Sequence, residues 1–522
     1  MAFPAAVLLD TSSIQKYIFG GRKLKENIGA SHIVKGIFDE PLRESLRSIF
    51  PGYTCPLETW ETEPSRILTE DPHVPVEVGY IGGGNALLFF KDSKEAENFI
   101  YFWTQSLLVD FPGIVPAAAL EKAFDLSDNG FQNSLKELFE LMESNKREVP
   151  LRTSLARFGI TSECRYSGLA QEAWQDTPDP SDAGYVSAMT KTKLNYVEEA
   201  NSWLEETLLT EKTRGSYCLT DELDSLGQTK NEENYIAIVH TDGDGIGTLF
   251  RELKTLNEVR RISTGLKKAT IDSFRKLIDV TIAHFDKIKE SLGHSDSTYP
   301  KSNNKFILPL RPIIIGGDDV AFVCHGKLGI YYANLFLEAF LLKTGEILGE
   351  SLSACAGITV TKTHYPFYRS YELSEELCRS SKKTRRANGG GSWLDFHIAY
   401  GGFTGDLSEI RERHYSAPQG HLCMRPYKIG VAGPRSFQSL LECASLLRLP
   451  KSKVQELRKV IGLGPEQSQA FLSNLKIRAQ NLPPYPGGDY HERLWVDGKT
   501  PYFDMVELME FYPDFALPAL TR

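Results

Sequence analysis

The stretch RPIIIGGDDVAFVC, residues 311–324, decides the fold. Two β-branched and aromatic runs flank Gly316, Gly317, Asp318 and Asp319, which predicts a β-hairpin with its turn at the glycines. Glycine and aspartate are ordinary turn residues, so a solvated turn is the plain alternative. Two adjacent carboxylates at a hairpin tip nevertheless invite a cation. Upstream, NYIAIVHTDGDGIGTLF (residues 234–250) is an apolar strand ending in a second acidic turn, with Asp242, Gly243 and Asp244.

Two acidic turns, one closing a first strand and one on a hairpin, converge if both strands are neighbours in one sheet. Polymerase- and cyclase-type palm domains hold two divalent ions in this way, the metals activating a ribose hydroxyl and binding a triphosphate. Four carboxylates in one place repel strongly without cations, so convergence would itself imply metal. The expected ligands are Asp242, Asp244, Asp318 and Asp319, with Mg²⁺ or Mn²⁺ as the ions. DGDGIG is not an EF-hand loop: Ile246 stands where an oxygen ligand belongs and no Glu closes the loop in register. Neither GxGxxG nor GxxxxGK[ST] occurs here, which excludes Rossmann and Walker-type sites on motif grounds.

Downstream, SLSACAGITVTK reads as another strand. SYELSEELCRSSKKTRRANGGGSWLDF then reads as a helix ending in Arg379, Lys382, Lys383, Arg385 and Arg386. A basic helix end complements the helix dipole without further purpose. The functional alternative is a triphosphate clamp, with Lys382 as the contact.

The first third looks like a degenerate copy. Ala5 to Leu9 forms a strand ending at Asp10, a helical segment follows, and VEVGYIGGGNALLFF gives strand, turn and strand. A helix over 94–108 and a strand over 113–120 complete a split βαβ, or ferredoxin-like, order. The tip carries Gly82, Gly83, Gly84 and Asn85, so one acid, Asp10, remains and an amide stands where a metal-binding acid is needed. The glycines still allow close approach of a backbone or a phosphate.

With 522 residues the chain has room for roughly three or four domains. The boundaries read as a first palm over 1–125, a helical linker over 126–230, a second palm over 231–415 and a C-terminal helical domain over 416–522. The linker contains NSLKELFELMESNKR and LNYVEEANSWLEETLL as its clearest helices, and the last forty residues have no assigned role. The fold class is thus α+β, with two ferredoxin-like palms packed on each other. Net charge is −9, so any polyanion must be met by a local patch or by metal. Eight cysteines without a CxxC pair suggest neither a disulfide framework nor a zinc ribbon. No basic n-region opens the chain and no apolar run approaches membrane-spanning length, so the expectation is a soluble cytoplasmic protein.

These elements together resemble a known family, the large palm-domain subunit of type III CRISPR effector complexes, which is distantly similar to GGDEF nucleotide cyclases. The resemblance is carried by GGDD (316–319), DGDGIG (242–247), LSACAGITVTK followed by YELSEELCRSSKK, LDTSSIQKYIFGGRKLKENIGAS (9–31) and LCMRPY (422–427). It implies two palms face to face with two ATP molecules between them, and cyclic oligoadenylate second messengers as product. Catalysis would fall to Asp242, Asp318 and Asp319. Nucleotide would be held by Gly316, Gly317, Gly243 and Lys382 in the second palm and by Gly82, Gly83, Gly84 and Asp10 in the first. Implied partners are ATP, guide and target RNA and the other effector subunits. Two departures shape the expectation. A palm beginning at residue 5 leaves no HD nuclease domain before it, and Cys164 stands alone where cysteine ligands often lie between the palms. The competing expectations are a cyclic dinucleotide or AMP-conjugate synthase of the same fold, and a non-catalytic scaffold of an RNA-guided complex.

Overall fold

A computed structural model describes residues 4–53, 57, 60, 61, 73–148, 159–176, 183–226, 234–418 and 420–518. Most of the Pro- and Glu-rich stretch over 51–75, and Cys55 with it, lies outside these residues.

The first sheet has four antiparallel strands. Ala5–Ser12 lies between Asn85–Phe90 and Val115–Glu121, and Val76–Gly82 occupies the edge beyond the hairpin. The first strand is apolar on both faces from Ala5 to Leu9 because both faces are covered. Helices Leu24–Gly36 and Ser93–Asp110 make the two crossovers expected of a ferredoxin-like order. Ser93–Asp110 starts where the Asp92 carboxylate accepts from the Lys94 and Glu95 amides.

The second sheet repeats this order and extends it. Tyr235–Gly243 lies between Asp319–His325 and Ala354–Lys362, with Leu310–Gly316 outside the hairpin. Trp393–Ile398 adds in parallel to Ala354–Lys362, and Tyr427–Lys428 pairs beyond it. Each outer hairpin strand carries an irregularity at the same distance from its turn, between Val78 and Tyr80 in one sheet and between Pro312 and Ile314 in the other. Pro312 has no N–H to give to a ladder, so a bulge is a natural place for it.

One helix joins the two palms. Leu256–Ala283 begins at a Thr255–Glu258 capping box. It sends Leu256, Val259 and Ile262 into the first core and Leu266, Phe274, Leu277 and Ile278 into the second. Arg260 crosses to the first hairpin, where it donates to the Gly79 carbonyl at 3.1 Å, to the Val78 carbonyl, and to Glu77 Oε1 at 2.7 Å. A bulge leaves carbonyls without ladder partners, and a buried guanidinium is well suited to take them. Thr270 Oγ1 donates to the Gly317 carbonyl, which pins the second hairpin tip to the same helix.

Two segments pack differently from the sequence expectation. Phe131–Glu148, read as part of a linker, lies on the first sheet with Phe131, Leu135, Leu138 and Met142 in the first core. The helix reads as polar on average, but its apolar residues fall at three- and four-residue spacing and form one buried stripe. The remaining linker holds a short hairpin, Ala173–Gln175 with Gly184–Val186, and Tyr217–Cys218 pairs with Lys305–Ile307. The C-terminal part is likewise not a separate helical unit, since Leu440, Leu457, Phe471, Tyr502 and Met505 belong to the second palm's core. Its last helix, Tyr502–Glu510, supplies two buried carboxylates to Arg425 of LCMRPY. Arg425 Nε lies 3.0 Å from Asp504 Oδ1, and its guanidinium also holds Glu507. The final forty residues thus neutralise a cation the second palm has buried, and removing one partner of such a set costs roughly 3–5 kcal/mol.

Candidate active site at the facing hairpins

Asp242 ends the central strand directly opposite Asp319, and Gly316 pairs with Asp319 across the turn. The turn residues are therefore Gly317 and Asp318. Gly317 has φ +56°, which glycine adopts without penalty. A side chain there would also meet the other palm, because its Cβ would stand 3.4 Å from Gly83 Cα. The two glycine tips touch. Asp318 also reaches Gly243, whose N–H donates to the Asp318 carbonyl at 3.1 Å.

The Phe367–Ala387 helix lies across the sheet and brings Lys382 to this end. Gly357 permits the close approach, since a Cβ there would fall 2.0 Å from the Ser374 carbonyl. Ser381 Oγ donates to the Ala356 carbonyl at 3.0 Å and fixes the helix along its strand. Lys382 Nζ then sits 2.6 Å from Asp242 Oδ2 and 3.0 Å from the Gly243 carbonyl. Arg385 pairs with Asp244.

Burial, and then the negative charge of Asp242, push the carboxyls of Asp318 and Asp319 up to about 7. The Gln15 side chain of the first palm hydrogen-bonds Asp319 and works the other way. Asp319 Oδ1 is shielded from solvent and has no hydrogen-bond partner among the described residues. Two acids that resist ionisation beside a third, with an orphaned oxygen among them, form a hard-oxygen set short of positive charge. The donor chemistry fits a divalent ion. As the side chains stand, no group of three or more His, Cys, Asp or Glu among the described residues converges into a ligand cage. Lys382 on Asp242 places an ammonium beside these acids. Asp244, expected among the metal ligands, is paired with Arg385.

The first palm presents a matching end. Gly82 pairs with Asn85 and Leu9 with Ala86, so Asp10 stands where Asp242 stands and Asn85 where Asp319 stands. Gly83 and Gly84 both have positive φ, at +62° and +79°, as a type I′ turn requires. In the second hairpin only Gly317 does, which leaves the next position free for Asp318. Lys146 Nζ lies 2.6 Å from Asp10 Oδ2. Lys146 is the sixteenth residue of Phe131–Glu148 as Lys382 is of Phe367–Ala387, and each helix follows the fourth strand of its palm. Sequence reasoning missed Lys146, although that spacing from the opening phenylalanine was the signal that would have found it. It also missed Gln15.

Comparison with known proteins agrees with this fold. Residues 235–389 match the family model for Cas10/Cmr2, second palm domain. Comparison with curated protein sequences gives no match. Among solved structures the chain is similar to Csm1 in T. onnurineus, at 13% identity and TM-score 0.52, over 97% of this chain and 70% of that one. It is also similar to Csm1 in a Csm1–Csm4 cassette bound to one ATP, at 12% identity and TM-score 0.50, again over 97% and 70%. At such identity the likeness is one of fold. None of the described helices is long and apolar enough to cross a membrane. In sequence over residues 235–389, and in fold over nearly its whole length, the chain thus resembles the large palm-domain subunit of type III CRISPR complexes.

Proposed function

We propose that this protein is a metal-dependent nucleotidyltransferase that joins ATP molecules 3′ to 5′ and closes them into cyclic oligoadenylates. The observation that carries this reading is the trio Asp242, Asp318 and Asp319, with Lys382, at a hairpin tip that meets the glycine tip of a second palm. The trio would hold two Mg²⁺ or Mn²⁺, which when bound polarise the attacking hydroxyl and neutralise the triphosphate. Asp318 or Asp319 can take the proton from the ribose O3′ as that oxygen bonds to the α-phosphorus. Pyrophosphate leaves from the same phosphorus. Lys382 offers a charge-assisted hydrogen bond to the departing phosphates when it turns from Asp242. Gly316, Gly317 and Gly243 let phosphate approach the backbone of the second tip.

The first palm seats the other nucleotide on Gly82, Gly83, Gly84 and Asn85, with Asp10 and Lys146 repeating the acid–lysine pair. Csm1 in the similar structure is bound to Csm4 and ATP, and we carry both kinds of partner to this chain, together with guide and target RNA and a cytoplasmic setting in antiviral defence. The test is incubation of the purified protein with each of the four NTPs and Mg²⁺ or Mn²⁺, with and without candidate activating RNA, followed by mass spectrometry. Linear and cyclic oligoadenylates are expected from ATP. No oligonucleotide under any of these conditions sinks the reading.

A further inference from the structure

Two polar side chains beneath the second palm's acid pair have apolar counterparts in the first palm. His240 precedes Asp242 by two residues and so shares its face of the strand; the position before Asp10 with the same spacing is Leu8. Tyr371 is the fifth residue of Phe367–Ala387, and the fifth residue of Phe131–Glu148 is Leu135. Leu8 and Leu135 are fully buried, so this architecture packs well with leucine at both places. His240 and Tyr371 are buried as well, and an imidazole and a phenol lose hydration there that leucines do not. The polar pair occurs only in the palm that carries the acid pair.

Their contacts lead to one atom. The Tyr371 hydroxyl lies 3.3 Å from His240 Nδ1, and the same Nδ1 lies 3.7 Å from Asp319 Oδ1, the oxygen with no hydrogen-bond partner among the described residues. On its far side the Tyr371 ring stacks on Phe19 of the first palm, with centroids 3.6 Å apart and planes 21° from parallel.

We propose that His240 and Tyr371 are positioning residues for Asp319, orienting its carboxylate toward a divalent cation, with Phe19 of the first palm bracing the tyrosine. The inference rests on reading the acid pair as a cation site. An imidazole presents either N–H or a lone pair at Nδ1, and a tyrosine hydroxyl donates or accepts as its partner requires. At 3.7 Å the His240 Nδ1 stands just outside hydrogen-bond reach of Asp319 Oδ1, so it limits where that carboxylate can turn and would donate to it once the carboxylate is drawn in. Because Phe19 and Gln15 come from one short helix, Ile14–Phe19, the seating of the first palm sets the geometry of the second palm's acids.

The experiment is a Mn²⁺ titration of the full chain followed by electron paramagnetic resonance, with the Asp318→Asn/Asp319→Asn variant identifying which bound ion belongs to the acid pair. Tyr371→Phe keeps the stack and removes the hydroxyl; His240→Leu/Tyr371→Leu installs the first palm's own pair. Roughly a 10- to 100-fold loss of Mn²⁺ affinity is expected in the double variant, the range typical for groups that orient metal ligands. A smaller loss is expected in Tyr371→Phe, with kcat falling and KM for ATP unchanged. Unchanged affinity in a folded double variant overturns the proposal. If that variant does not fold, wild-type affinity and kcat in Tyr371→Phe overturn it, as does a wild-type chain that binds no Mn²⁺ dependent on Asp318 and Asp319. The nucleotide-joining reading fails differently, by Mn²⁺ bound at the acid pair without product, and the titration still decides the role of His240 and Tyr371.

Discussion

The two hairpins meet tip to tip, Gly317 against Gly83, and they hang from sheets of the same strand order. Four of the positions at which they differ lie at the acid site itself. Asp242 and Asp10, Lys382 and Lys146 are retained as equivalent pairs, each with 2.6 Å between ammonium and carboxylate. Asp318, Asp319, His240 and Tyr371 face Gly84, Asn85, Leu8 and Leu135. One palm keeps an acid–lysine pair and nothing more; the other adds two carboxyls and a polar pair beneath them. The comparison teaches that the fold needs none of the four added groups, so the burial of His240 and Tyr371 beneath two half-buried acids asks for a chemical reason rather than a structural one. It also shows why the first palm does not regain the site by drift at one codon. A type I′ turn holds Gly84 at φ +79°, where a side chain is strained, so a second acid there would require a different turn.

The sharpest way to break the comparison is to make the second palm like the first. Asp318→Asn with Asp319→Asn should lower the rate of oligoadenylate formation by roughly a thousandfold or more, the scale on which loss of a central electrostatic group acts. The half-buried tip should tolerate the change without loss of fold, which circular dichroism would verify. Adding Asn85→Asp to that background should not restore product, because the position of Asp318 is still a strained glycine in the first palm. Product from the triple variant would show that the palms are interchangeable and would overturn the division of labour.

The lysines test what the two ends share. Lys382→Ala and Lys146→Ala should each raise KM for ATP by roughly 10- to 100-fold, as loss of one charge-assisted hydrogen bond to phosphate predicts. They should differ in kcat, with Lys382→Ala lowering it and Lys146→Ala leaving it nearly unchanged, since only the second palm carries the acids. Steady-state kinetics of pyrophosphate release measures both. An unaltered KM in Lys146→Ala would remove the first palm from nucleotide binding.

Much of this frame was legible in the sequence, and the exceptions share a cause. GGDD, DGDGIG and the GGGN twin are local patterns, and turn chemistry alone placed them on hairpins and strand ends. Lys146 was not legible, because its helix reads as polar in sequence and only the packing of Phe131, Leu135, Leu138 and Met142 in the first core ties it to that palm. The role of the last forty residues depends on Asp504 and Glu507 meeting Arg425, a pairing across about eighty residues of sequence that no local pattern shows. Asp244, which a local motif groups with the metal ligands, pairs with Arg385 from a distant helix, a contact that no local pattern shows. Asp242 stays with Asp319 because a strand register joins them, and register is a stronger constraint than proximity in sequence.

A last comparison can be read in stability instead of rate. In the folded protein the carboxyls of Asp318 and Asp319 are raised to about 7 from an ordinary 3.8. The folded state therefore binds these protons more tightly than the unfolded chain, so their contribution is fully present below the ordinary value and is lost as the pH climbs to about 7. In EDTA, the melting temperature of the wild type should fall by a few degrees between about pH 5 and about pH 8 relative to Asp318→Asn/Asp319→Asn, which has no such protons to lose. Mg²⁺ should recover that difference at about pH 8, where the carboxylates are ionised, and do little at about pH 5, where protons occupy them. Asp10 in the first palm is also raised, by burial, but Lys146 opposes the shift. An Asp10→Asn variant should accordingly leave the Mg²⁺ effect in place. Differential scanning calorimetry on the three proteins distinguishes the two ends, and a Mg²⁺ effect that survives loss of the acid pair but vanishes with Asp10 would place the cation in the wrong palm.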